Sequence, residues 1–529
     1  MKTALDITQY RDQISALTEE NAQLKSQLAW LKRHVFGRKS EKQIIENPDQ
    51  GSLFNVDDTQ AAKDTPTKEI KAHKRSSKKQ TNDDDVNGRG LRFTDDVPQR
   101  IIDVPSPELA GKDADLYDVI GTKETCRLAQ QPGSYVVLIY RHKVLALKSN
   151  KPANKPANKS FKKKLISTPA PANVLEGCYA DVSLIAGLMV DKAVYHLPLH
   201  RQHQRMLDSG VTVSRATLLK WMQKGIELLR PIARAQWQHI LSGGHLAMDE
   251  VPMKAGRIET TSRTASKMKQ TYFWPIYGED DEVAFTWSAG RGMAHAIEQL
   301  NGFTGTLLTD GYPAYNSVVK KLNEQASNVV HAGCWAHCRR MFENALEDAA
   351  NDAQYALDII AKLYQVETRI RENDMGYPDI QRMRSAYSTP IVEDFFTWLF
   401  EQRQRPEILP KSKMGKALYY AHNQQTKLKI YLTQPDVPID TNHLERALRV
   451  VPLGRNNFKF CWTELGAEQL GILHSLTVTC RLHGINPYHY LVDVLQRVAA
   501  HPAKDVIELT PRRWKDAFNH QRMKSDIHT

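Results

Sequence analysis

Between Ser242 and Asp310 the chain passes through three β-leaning runs, "HLAMDEVPMKAG", "QTYFWPIYG" and "EVAFTWSAG", then a short helical stretch, "GMAHAIEQL", and a fourth β-leaning run, "GTLLTD". Turn residues separate the runs, which fixes the order of elements as three strands, a helix and a strand. The fourth run stops on Asp310, and Gly311 and Pro313 follow at once. A buried strand seldom ends on a bare carboxylate. Asp310 either caps the turn or helix that follows, as Asp commonly does, or it holds a metal. The choice turns on whether other carboxylates join it.

That order of elements opens a ribonuclease-H-like fold, in which one carboxylate lies on the first strand and another just past the fourth. Here they are Asp249 and Asp310. Glu250 follows Asp249 directly, and neighbouring residues of a strand face opposite ways, so only one of the two joins Asp310. A third acid is expected on a later helix. In "PIDTNHLERALRVVPLGRNNFKF" a helix starting at Asp440, Thr441 or Asn442 carries Glu445 in its first turn. Asn442 and Glu445 also read as a capping box, a role that would use the same acid. Three carboxylates suit magnesium, a hard ion that prefers oxygen ligands and keeps positions open for water and phosphate. Two such ions about 4 Å apart serve in-line displacement at phosphorus. The chain has no G-x-S-x-G elbow and no phosphate-binding G-x-x-x-x-G-K loop.

The remaining sequence is organised around charge. Lys and Arg outnumber Asp and Glu by 72 to 60, a net charge of +12 over 529 residues, which favours a polyanionic partner and several domains. Ile7, Tyr10, Ile14, Leu17, Asn21, Leu24, Leu28, Leu31 and Val35 form a heptad seam, so residues 1–42 are expected to pair as a parallel coiled coil with Asn21 setting register. Residues 43–92 read as a charged, flexible linker. Residues 93–165 read as a small β-rich module ending in a basic arm, where nine Lys or Arg and no acid lie between Arg141 and Lys164 around a KPAN repeat. Residues 166–235 read as a helix-turn-helix-like region. Pro198 opens one helix and Gly210 stops it, and Ser214 caps a second with Leu218, Trp221, Met222 and Leu229 inward. Arg215, Thr217, Lys220 and Lys224 lie on its outer face and are candidate DNA contacts; an ordinary helical hairpin has the same pattern. Residues 240–465 form the expected catalytic domain, with a helical insertion at about 338–432, and residues 466–529 a C-terminal helical region. The cysteines are mostly isolated, the start has no signal-peptide core, and no apolar run approaches the roughly 20 residues of a membrane span. The expectation is a soluble protein of a reducing cytoplasm. The fold class is therefore multidomain α/β.

At these residues the sequence resembles the DDE transposases of the insertion sequence 66 family, the large TnpC-type protein. "LKRHVFGRKSEK", "YHLPLHRQHQRM", "MDE", "LLTDGYPAYN", "CWAHCRRMF", "NHLERALRVVPLGRNNF" and "CRLHGINPYHYLVDVLQRV" carry the likeness, which spans nearly the whole chain. The resemblance implies that Asp249, Asp310 and Glu445 are the catalytic triad and hold Mg2+ or Mn2+, two ions per site. It implies DNA as partner, both inverted-repeat ends and target, with cleavage and strand transfer as the reaction. It also implies a bacterial protein, associated with the nucleoid when bound, self-paired through Ile7 to Val35 and aided by companion proteins of the same element. Relatives often bear paired cysteines for zinc after the linker. This chain has only Cys126 there, so no structural zinc is expected. Val251 stands where the family usually has Thr, Cys461, Trp462 and Thr463 replace a small Gly-Ser segment, and the C-terminal Trp-rich ending is altered to "LTPRRW". His331, Cys334, His337 and Cys338 offer metal-ligand chemistry, but the adjacency of the last two strains a single tetrahedral site. Arg339, Arg340, Arg446, Arg449, Arg455 and Lys459 are candidate contacts to strand-end phosphates, or exposed helix-face charge. A repressor and a nuclease that cuts without joining are rival readings of the residues, and an inactive DNA-binding remnant or regulator is the alternative within the family.

Overall fold

A computed structural model of the chain describes residues 92–95, 97–110, 114–131, 134–147, 165–169, 171–258, 267–325 and 327–528. The expected coiled coil, almost all of the linker and most of the KPAN arm lie outside these residues. The described residues build a mixed α/β structure. Among them no helix is long and apolar enough to cross a membrane.

The N-terminal described part is β-rich. Strand β1 (Arg92–Phe93) pairs with β6 (Val211–Thr212), which lies between two helices described below. Strands β3 (Tyr117–Gln131) and β4 (Ser134–Leu147) form a long antiparallel hairpin, and β2 (Gln99–Val104) and β5 (Leu165–Ser167) pair with β4. Three helices follow, α1 (Val182–Ala193), α2 (Leu199–Asp208) and α3 (Arg215–Leu241). Asp181 caps α1 through the Ser183 N–H, and Ser214 caps α3 through the Thr217 N–H. The inward set on α3 is buried as expected, with Leu218, Trp221, Met222 and Leu229 in the core, while Arg215, Lys220 and Lys224 are exposed and Thr217 is half-buried.

The second sheet runs β10-β9-β7-β11-β12, with β8 also paired to β9. Its members are β7 (His245–Met248), β8 (Val251–Arg257), β9 (Met268–Gly278), β10 (Val283–Ser288), β11 (Gly305–Thr309) and β12 (Val329–Gly333). Helix α4 (Met293–Gln299) carries the chain from the β10 edge across to β11, and α5 (Pro313–Glu324) joins β11 to its parallel neighbour β12. Successive residues of the central strands enter opposite layers, as a period of two requires. Leu246, Met248 and Leu307 pack with α4 and α5, whereas Ala247 and Leu308 face the helices that follow. Those are α6 (Trp335–Ala345), α7 (Ala350–Glu372), α8 (Tyr377–Met383), α9 (Thr389–Arg403), α10 (Lys413–Asn423), α11 (Asn442–Leu448), α12 (Val450–Phe458) and α13 (Glu464–Leu482). Helices α14 (Pro487–Arg497) and α15 (Pro511–Ala517) complete the structure.

Three expectations need correction. The first concerns "HLAMDEVPMKAG", which forms not one strand but β7 and β8, with the break at Asp249 and Glu250. Both halves keep one register along β9, since Met248 pairs with Ile276 and Val251 with Phe273. Pro275 lies opposite Asp249 and accepts its N–H at 3.4 Å, but proline has no N–H to return, so the ladder opens at the acids. The second is the division between regions. Helix α3 runs without interruption through Pro231 and across the expected boundary at 235–240, α6 begins before residue 338, and α13 begins before 466. The third is the separateness of the small modules. Residues of β3, β4, α1, α3, α13, α14 and α15 share one hydrophobic core.

Helix α13 also closes the sheet. Edge strand β10 presents outward N–H groups, and the Ser475 hydroxyl accepts from Phe285 N–H at 2.8 Å while Thr479 accepts from Val283 N–H at 3.2 Å. Gly471 lies one turn earlier on the same stripe, and a Cβ there would stand 2.4 Å from the Phe285 carbonyl oxygen. Glycine is required for that approach. His474 is wholly buried between these positions, tilted against Phe285, with neither ring nitrogen hydrogen-bonded. Burial, with His196 and Lys192 nearby, lowers its pKa to about 3.

A histidine held neutral in the fold favours the native state only where the unfolded chain is also neutral. Below the unfolded value of about 6.5 the unfolded chain takes up a proton that the folded chain refuses, so stability falls from there towards pH 3. We predict that His474→Leu reduces the loss of unfolding free energy between pH 7 and pH 5 by about 2 kcal/mol, read from urea unfolding at the two pH values.

Candidate active site

The carboxylates meet where the central strands end. Asp249 follows β7, and Asp310 follows β11, the parallel neighbour of β7. Asp310 Oδ1 accepts the Tyr312 N–H at 2.8 Å, and its carbonyl accepts the Tyr420 hydroxyl at 2.6 Å. Gly311 turns the chain with φ +85°, a conformation that favours glycine. Asp310 therefore does serve the turn before α5, with one of its two oxygens.

Glu445 is on α11, and the capping-box reading is corrected. Thr441 is the N-cap residue and makes no side-chain capping bond, which moves Asn442 into the helix and Glu445 beyond the box position. Asp440 takes over the work at that end, accepting the Asn442 backbone N–H at 2.9 Å and side-chain amide at 2.6 Å, and the Tyr364 hydroxyl at 2.8 Å. Glu445 instead turns to α6, where Arg340 donates to both of its oxygens at 3.1 and 3.2 Å and His337 Nε2 lies 3.6 Å away.

The electrostatics bind these residues into one site. Burial raises the Asp249 carboxyl to about 7; the Glu250 N–H opposes this, and the charges of Asp310, Glu250 and Glu445 add to it. His337 feels Asp310, Glu445 and Asp440 together, yet burial and Arg340 hold its pKa below the ordinary value. Glu250 is the acid that leaves the group. Its side chain is only 5% exposed, paired with Arg291 at 2.5 Å and accepting the Tyr315 hydroxyl at 2.7 Å. Arg291 in turn stacks 4.3 Å from the Tyr312 ring centroid.

The donor set of Asp249, Asp310 and Glu445 fits a hard divalent ion, because it offers oxygens only and its mutual repulsion is what burial leaves uncompensated. As the side chains stand, no three His, Cys, Asp or Glu among the described residues form a ready metal cage. The Arg340 guanidinium occupies Glu445 in its place. The other metal-ligand candidates disperse. His331 bonds Thr309 at 2.8 Å, and burial lowers its pKa to about 3. The Cys334 sulfur accepts from both the N–H and the hydroxyl of Thr441, and Cys338 is buried in the core beneath α6.

The basic candidates divide. Arg340 belongs to the carboxylate site, and Arg339 pairs with Glu343 at 3.1 Å. Arg446 and Arg449 are exposed. Arg455 donates to the Pro252 carbonyl at 2.8 Å, tying α12 to the start of β8. Lys459 is exposed beyond the end of α12, and Arg215, Lys220 and Lys224 line α3. Sequence reasoning missed Tyr315 and Arg291 as holders of Glu250, and it offered Asp440 only as one of three possible starts of α11, not as the acceptor of the Asn442 amide and the Tyr364 hydroxyl. Tyr315 stood in the quoted "DGYPAYN", but nothing local shows which acid its hydroxyl meets.

Comparison with known proteins identifies relatives. The family model described as "Transposase IS66 family" matches residues 177–469, "IS66 C-terminal element" matches 475–512, and "Transposase C of IS166 homeodomain" matches 23–85. The chain is 29% identical to the uncharacterized protein y4qI of Sinorhizobium fredii over 436 residues, covering 79% of this chain and 76% of that protein. It is likewise 29% identical over 363 residues to y4jD of the same organism, covering 66% and 69%.

The Glu250 arrangement predicts a stability effect. Tyr315→Phe deletes a hydrogen bond to a buried carboxylate and is expected to cost about 1.5–3 kcal/mol, measured as the change in urea unfolding free energy against wild type.

Proposed function

The chain belongs to the IS66 transposase family, and from that premise we propose that it is a metal-dependent DDE transposase whose ribonuclease-H-like core cleaves element ends and joins them to target DNA. The observation that carries this reading is the electrostatic coupling of Asp249 to Asp310 and Glu445, three acids supplied by two parallel strand ends and a later helix. Glu445 is free of the capping duty that was the rival account of it.

Asp249, Asp310 and Glu445 would hold two Mg2+ or Mn2+ ions, which when bound supply Lewis-acid stabilisation and a more acidic attacking oxygen. The chain's own residues prepare that site. Arg291 and Tyr315 keep Glu250 out of it, so the acid beside Asp249 does not compete. Arg340 donates to both Glu445 oxygens and orients that side chain on α11. Arg446, Arg449, Arg455 and Lys459 trail Glu445 along α11 and α12 and beyond, and offer cations to the phosphates of a strand end. The exposed face of α3, with Arg215, Thr217, Lys220 and Lys224, is assigned to the inverted repeats, and Arg339 to flanking phosphates. Pairing of two copies through Ile7 to Val35, companion proteins of the element, and association with the nucleoid complete the reading.

The test is strand transfer from a labelled element-end duplex into a plasmid, with companion proteins supplied, in magnesium and in EDTA. Asp310→Asn and Glu445→Gln are each expected to lower joined product by at least about a hundredfold while end binding in a gel-shift assay stays within a few-fold of wild type. Joined product from either variant at the wild-type rate removes the triad assignment. Wild-type binding with no cleavage under either metal makes the chain an inactive DNA-binding remnant or regulator.

A further inference from the structure

A second site lies between α12 and the helices ahead of the sheet. A cavity of about 480 Å³, within the size range of small-ligand pockets, opens between α1, α2, α3 and the segment from Asn457 to Thr463. Its walls are apolar and aromatic, with Met222, Ile226 and Phe458 inside, and its charged lining residues are Lys192 and Lys459. The Lys192 ammonium sits 4.7 Å from the Phe458 ring centroid, and among the described residues no carboxylate is paired with it. Burial lowers the Lys192 pKa, so an anion seated beside it would favour the charged form that the apolar wall disfavours.

The rim adds two features. Trp462 lines the cavity yet remains 59% exposed, with Phe460 edge-on at 5.0 Å and the Arg257 guanidinium 4.5 Å from its ring centroid. Glu464, the acid at this rim, is tied to Lys269 at 2.8 Å. Between the two aromatics, Lys459 is forced to φ +64°, and the Phe460 N–H bonds back to the Phe458 carbonyl at 2.7 Å. That is a γ-turn of the rare, strained hand. Strain of this kind persists where a site requires the geometry, and here it sets Phe458, Phe460 and Trp462 around one opening.

We propose that this cavity receives one unpaired nucleobase of bound DNA, stacked against Trp462, with its phosphate drawn to Lys192 and Lys459. Aromatic surface combined with unpaired cations fits a nucleotide, since any base has a π-face and its phosphate answers the charge. The inference rests on DNA being the partner, and it adds a requirement for local unpairing that the carboxylate chemistry does not contain.

The test uses the full chain and two fluorescein-labelled duplexes, one blunt and fully paired, the other carrying a single bulged 2-aminopurine. Wild type is expected to bind the bulged duplex about tenfold more tightly by anisotropy and to quench the 2-aminopurine. Trp462→Ala and Lys192→Met should lose that preference and the quench while binding the blunt duplex as wild type does, and Trp462→Phe should retain most of both. Trp462 is largely exposed, so its loss leaves the fold standing; a matching melting temperature checks this for both variants. Equal wild-type affinity for the two duplexes, or a preference that survives in the variants, overturns the pocket and leaves the transposase reading intact. Failure to bind either duplex overturns both.

Discussion

Carboxylates gathered at the ends of buried strands repel one another, and each costs free energy to desolvate. The C-terminal edge of the central sheet carries that burden, and the surrounding structure is arranged against it. Four acids come to this region, and each receives a different treatment. Glu250 is neutralised by a guanidinium and a phenol, Glu445 is held by Arg340, and Asp310 spends one oxygen on a turn. Asp249 keeps only the N–H of its neighbour and bears the remainder as a raised pKa. Carboxylates in this condition favour a cation beside them, which is why the proposed function rests on them.

The sheet can tolerate such an edge because its other boundaries are closed by local chemistry. Pro275 opens the ladder at Asp249, where backbone freedom serves the acids, and the same strand remains paired on either side. Hydroxyls from α13 supply acceptors to the outward N–H groups of β10, which removes an edge that would otherwise invite strand addition. The buried amide of Gln236 on α3 donates to the Val283 carbonyl and to Thr479, so three elements distant in sequence share one polar seam.

Much of this was legible in the sequence. The order of strands and helices from Leu246 to Asp310 follows from period and turn residues, and the inward face of α3 follows from Leu218, Trp221, Met222 and Leu229. What was hidden depends on contacts between distant segments. The break between β7 and β8 requires Pro275 to stand opposite Asp249, a register that no local pattern states. The cap of α11 went to Thr441, with Asp440 holding the helix start, because cap geometry is decided by backbone angles that a capping-box pattern only suggests. The common core of the hairpin, α1, α3 and the C-terminal helices looked like three modules, since each segment has its own local composition and shows its partner only in three dimensions.

Helix α3 has a mechanical consequence. Its 27 residues make a rod of about 40 Å, with Arg215 and Lys220 on its first turns and Ile240 and Leu241 packed under the sheet that bears the carboxylates. It crosses the expected boundary between the helical region and the catalytic domain at residues 235–240. On the proposed reading, the offset between phosphates gripped at one end and phosphates reacting near the other would be set by helical rise instead of by chain wandering. A transposase built this way would measure DNA with a fixed gauge, and lengthening α3 by one residue would rotate its proposed grip by about 100° about the rod's axis.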